Sequence, residues 1–172
     1  MDFERFERWG NGSRHVKKIG DDIQSIILSL GRLDSKLISN EIEILKLLPQ
    51  DPNDPKMIKI AVDIGEHLTL SYLWVLGAFE IVRTLEFRCR IQPTIFGEEI
   101  NKKMKDLKKY FSRLRVPLAK LEPEEHHKST DYHIAFPAIG KDGVGWRISS
   151  DTIIYRKRLS NKLLELLEEM PK

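Results

Sequence analysis

The sequence predicts a mainly α protein: an antiparallel bundle of about four principal helices, two of them long, with a β-hairpin inserted before the C-terminal helix. Three observations predict it. Apolar residues recur at steps of three and four over most of the 172 residues. The proline-rich run from Pro49 to Pro55 and then Pro93 divide those runs from one another. One stretch alone, about 132–149, changes to a period of two. A chain of this length suits one domain with its own core, so 1–172 is read as a single helical-bundle domain.

The first helical segment rests on Val16, Ile19, Ile23, Ile26, Leu30, Leu33 and Leu37, a seam on one helix face, with Ser13 as its expected cap. Gly20 and Gly31 weaken it without breaking the pattern. Beyond Leu37 the apolar phase shifts to Ile42, Leu45 and Leu48. Asn40 followed by Glu43 resembles a capping box, so a bend or restart is expected there. Three prolines between Pro49 and Pro55 end the segment.

Asp54 before Pro55 starts a second helix that nothing interrupts until Pro93, a rod of roughly 54 Å. Two long helices joined by a short turn lie antiparallel. From Leu68 to Leu85 this helix is apolar nearly all round, which predicts a central position with neighbours on every side. Glu80 and Arg83 interrupt its densest part. Three residues apart, they share a face, and we expect a structural ion pair inside the bundle rather than a catalytic pair.

A third helix follows Gly97, its core face formed by Ile100, Met104, Leu107, Phe111, Leu114, Leu118 and Leu121. Pro117 should kink or end it. After the polar run of residues 122–130, Ile134 and Phe136, the loop at 140–143, and Val144, Trp146 and Ile148 read as the hairpin. The last helix spans about 151–170, with Ile153, Leu159, Leu163, Leu166 or Leu167 and Met170 facing the core.

Charge is uneven. Net charge is only +3, but residues 93–121 hold eight Lys or Arg against three Asp or Glu. Lys102, Lys103, Lys105, Lys108, Lys109, Arg113 and Arg115 therefore form an outward stripe on the third helix, a candidate nucleic-acid-binding surface bordered by Tyr110. The bland reading of the same stripe is a solvated helix face.

Other constellations carry less. Glu122, Glu124, Glu125, His126, His127, Asp131 and His133 lack ligand spacing, so no metal site is expected. The glycines around the hairpin lead into a strand and not a helix, so a hairpin turn explains them better than a phosphate cradle. Cys89 has Arg88 and Arg90 beside it, yet sequence neighbours on a helix point about 100° apart, so an inert thiol is expected. One cysteine cannot form an internal disulfide, which points to a reducing, cytoplasmic setting. No secretory h-region is visible, and the run Leu68–Phe79 is too short to span a bilayer.

Six residues separate Arg8 from His15. That spacing matches the Arg-x4–6-His motif of HEPN-type ribonucleases, a family the expected bundle resembles in general helical architecture. There the motif lies on a late helix. Here it lies at the N-terminus across Asn11-Gly12, so the resemblance implies no membership and supplies only a minor ribonuclease-like alternative. The reading is thus a non-enzymatic intracellular interaction or scaffold protein without cofactor or membrane association, forming a homo-oligomer or binding a protein partner. Its alternative is a nucleic-acid-associated protein using the basic helix.

Overall fold

The computed structural model describes residues 1–47, 54–140 and 142–171. Five α-helices and a small antiparallel sheet account for most of them: α1 (Phe3–His15), α2 (Asp21–Leu47), α3 (Met57–Ile91), α4 (Glu98–Ala119), β1 (Phe136–Gly140), β2 (Gly143–Arg147), β3 (Ile153–Tyr155) and α5 (Arg156–Glu169). The helical bundle with a hairpin before the last helix is present. The proline-rich stop expected over Pro49–Pro55 falls mostly outside the described residues, as does Lys141 of the hairpin loop.

The first segment is two helices, not one. Asp2 caps α1, its carboxylate accepting from the Arg5 amide at 2.9 Å. Ser13, the expected cap of a later helix, is instead buried within α1. The break comes at residues 16–20, and α2 then runs unbroken through Asn40, so the helix does not restart there. Its buried residues are Ile27, Gly31, Asp34, Ser35, Leu37, Ile38 and Glu41. Of the expected seam, Val16 and Leu37 are buried and Ile19, Ile23, Leu30 and Leu33 pack against the core. Ile26 of that seam is half exposed. Glycine at 31 has a specific use: a Cβ there would lie 2.5 Å from the Trp9 side chain, so its absence lets α1 seat on α2.

With 35 residues, α3 is about 52 Å long. Gly97 (φ 85°) precedes α4, where Ile100, Met104, Leu107, Phe111 and Leu114 of the expected core face are buried and Leu118 packs partly buried against the core. Leu121, the last residue of that expectation, lies past the helix end and is 61% exposed. Pro117 sits in the last turn without breaking it. The helix continues to Ala119, where the Lys120 amide donates to the Val116 carbonyl at 2.8 Å.

The sheet order is β1-β2-β3, with Phe136 opposite Arg147 and Trp146 opposite Ile154. Ile153, expected in the last helix, is in a third strand, and that helix begins at Arg156. β-branched Ile153 and Ile154 followed by Tyr155 suit a strand. Only β2 is buried along most of its length. Ile134 and Phe136, assigned to the apolar face, are about half exposed.

Helix contacts close a ring, α1 on α2, α2 on α3, α3 on α4, α4 on α5 and α5 back on α1, with β2 against α2 and α5. Trp9, Trp74 and Phe111 meet inside it, their successive ring centroids 6.5 and 6.4 Å apart. Trp74 also donates from its indole to the Leu30 carbonyl at 3.1 Å. Contacts at this range add to the burial of large aromatic area.

Candidate functional site

The densest chemistry is inside the ring. Asp34 on α2 is fully buried and accepts three hydrogen bonds: from Arg5 Nε at 2.5 Å, Arg156 at 2.5 Å and the Trp9 indole at 2.9 Å. Arg5 also donates to the Ser160 hydroxyl on α5. Two turns along α2, Glu41 accepts from the Val144 amide of β2, and its other oxygen lies 3.7 Å from Arg156. Arg156 is fully buried, its guanidinium 5.8 Å from the Trp74 ring centre. Two cations and two carboxylates therefore balance, as burial of charge requires.

Seven-residue spacing puts Asp34 and Glu41 on one helix face. Gly143 makes room for the second of them. Its φ of 89° favours glycine, and a Cβ would fall 2.1 Å from the Glu41 carboxyl carbon. His67 on α3 closes the far end, with Nε2 3.5 Å from Glu41 and both ring nitrogens lacking a hydrogen-bond partner among the described residues. With three donors on it and no exposed surface, Asp34 is spent on structure and is not placed to take a proton from a substrate.

None of these positions belongs to the sites the sequence singled out. The signal lay in α2, where Asp34 and Glu41 stand seven residues apart on the buried face.

Glu80 and Arg83 do pair, Arg83 Nε to Glu80 at 2.7 Å, but on the surface, with side chains 49% and 56% exposed. Their expected burial is corrected. The outward face of α3 has no neighbour there among the described residues, and the pair is exposed.

The basic stripe is largely engaged with this chain's own carboxylates. Lys103 reaches Glu99 and Glu169, Lys108 reaches Glu86, and Lys109 lies 3.5 Å from Asp106. Arg113 makes two 2.9 Å bonds to Asp131. Those bonds hold the Arg113 guanidinium above its usual range. At Asp131 burial acts upward, but the Arg113 bonds and charge, with Thr130, outweigh it and leave the carboxyl below its ordinary value. Arg115 lies over the Phe79 ring at 5.1 Å. Lys102 and Lys105 are exposed and have no such partner among the described residues. An open groove of about 440 Å³ between α4 and α5 carries both signs of charge, from Lys103, Asp106, Lys162 and Glu165. Tyr110 in its wall is half-buried beneath Lys162, and burial raises its hydroxyl pKa.

No family model, curated protein or solved structure matches the chain.

Arg8 and His15 lie on one helix, since α1 runs through Asn11-Gly12 rather than turning. Both face α5: Arg8 forks onto Glu168 at 2.8 and 2.9 Å, and His15 Nδ1 is 2.9 Å from the Leu167 carbonyl. Cys89 is buried, and burial, with the Glu86 charge, pushes its thiol up to about 11. Residues 125–127 form a single 3-10 turn capped by Glu124. Among the described residues no three His, Cys, Asp or Glu side chains converge as metal ligands, and His126, His127 and His133 join no such group.

Ile58–Ile91 is long and apolar enough to cross a membrane by length and composition, an 18-residue stretch within it reaching mean hydropathy 1.3. It is also the helix on which α2 and α4 pack, and it carries buried His67 and Ser71.

Proposed function

We propose that the protein is a non-enzymatic, self-associating interaction protein of a reducing cytoplasmic compartment. The supporting observation is the outward face of α3, on which large apolar residues stay exposed from Ile58 to Ile91 although the helix is the apolar centre of the sequence. Exposed apolar surface of that extent marks an interaction site. Light scattering at tens of micromolar is the test. A mass near twice 20.1 kDa supports the reading, and the monomer mass overturns it.

The second reading, nucleic-acid association through α4, draws on exposed Lys102 and Lys105. Because most of the stripe is paired internally, contacts would be few, to phosphate, and salt-sensitive. Co-purifying nucleic acid, seen as a raised 260/280 nm absorbance ratio, and its loss on reversing Lys102, Lys105 and Lys109 to Glu separate this reading from the first.

A further inference from the structure

The exposed stripe of α3 has the same character read from either end. Its two ends are apolar: Ile58 and Val62 are 78% and 66% exposed, Phe87 and Ile91 44% and 64%. Its middle, Leu73, is 52% exposed. Between middle and ends lie charged residues, Glu66 on one side and the Glu80–Arg83 pair on the other. Ile58 and Ile91, Val62 and Phe87, and Glu66 and Arg83 are each symmetric about the Trp74–Val75 peptide. Steps of three and four keep them on one helix face.

A face that is palindromic in character is complementary to itself when reversed, as a two-fold interface demands. We propose that two copies of this chain pair through α3, antiparallel, about a two-fold axis beside the Trp74–Val75 peptide. Val62 then packs on the partner's Phe87 and Ile58 on the partner's Ile91. Glu66 comes within reach of the partner's Arg83, so each carboxylate meets a cation and no charge is covered alone. The symmetry operator leaves the apolar middle on the axis. A helix face about 50 Å long and 10 Å wide covers on the order of 1,000 Å² across both copies, the lower bound for a specific interface. The same arrangement accounts for a helix apolar all round that has chain neighbours on only part of its circumference.

The proposal rests on self-association, and the test separates the two. Light scattering is run on the wild type and on Leu73→Glu, whose exposed position tolerates charge without unfolding. The expected result is halving of the mass in the variant with unchanged helical circular dichroism. Orientation is read from spin labels in a Cys89→Ser background. Labels at Val62 on both copies should lie roughly 37 Å apart, the rise over the 25 residues from Val62 to Phe87. A label at Val62 and one at the partner's Phe87 should lie within about 15 Å, given helix separations of 8–10 Å. A dimer that survives Leu73→Glu, or Val62 labels close to one another, overturns this surface or its orientation while leaving self-association standing. A wild-type monomer overturns both, and a monomer that pellets with lipid vesicles assigns the face to a bilayer instead.

Discussion

Asp34 ties three helices through one carboxylate, since its donors come from α1 and α5 while it sits on α2. Such a group contributes little net stability while its partners are present, but removing one leaves charge buried alone. Asp34→Ala and Arg156→Ala should each lower stability by about 3–5 kcal/mol in urea unfolding, and the double variant by less than the sum. Additive losses would show that the two do not interact. Glu80→Ala and Arg83→Ala give the contrast. Their pair is exposed, so each should change stability by less than about 1 kcal/mol. Asp131 offers a pH test. Its folded pKa lies below the ordinary 3.8, so its pairing with Arg113 stabilises above that value and is lost as pH falls through the folded one. Asp131→Asn should therefore be less stable than wild type at neutral pH, and the gap should close in strong acid. A gap that persists at the lowest pH would assign the effect to shape and not charge.

At the scale of elements, legibility followed how apolar each core face was. The core of α4 could be read directly because every inward position from Ile100 to Leu114 is apolar. In α2 the inward positions include Gly31, Asp34 and Glu41, so an apolar count finds Leu37 and the partly buried Ile23, Leu30 and Leu33 but passes over the polar middle of the face. Strand β3 was missed for a related reason: three residues are too few to show a period of two beside a strongly helical run. Glu80 and Arg83 looked buried because sequence records which residues are apolar and not which faces find a neighbour. Gly143 joins sheet to helix, and its role depends on a partner 102 residues away. Gly143→Ala should destabilise by roughly 1–3 kcal/mol through its positive φ, with additional loss where the Cβ displaces Glu41. An unchanged melting temperature would show that the β2 turn relaxes away from α2.

For the whole molecule, helical content and the inserted hairpin were legible, but the closure of the ring was not, because it depends on contacts between the two ends of the sequence. α1 lies against α5 through the Arg8–Glu168 fork and through His15 at the Leu167 carbonyl, and just past the two helices Lys18 donates to the Pro171 carbonyl at 3.1 Å. It also supplies Arg5 and Trp9, two of the three donors on Asp34. A short helix that reads as a weak prelude in sequence is thus a wall of the core. Removing residues 1–19 would take Trp9 away from Trp74 and leave Asp34 with Arg156 as the one remaining donor of its three. Bundles whose specific packing is lost while helices remain become compact states with fluctuating interiors. The truncated chain should keep much of its far-ultraviolet signal, lose near-ultraviolet tryptophan dichroism, bind a hydrophobic dye and unfold without a sharp transition. A truncated chain that still melts cooperatively, with tryptophan dichroism intact for the remaining Trp74 and Trp146, would show that α2 to α5 form a core of their own and that α1 is only docked on it.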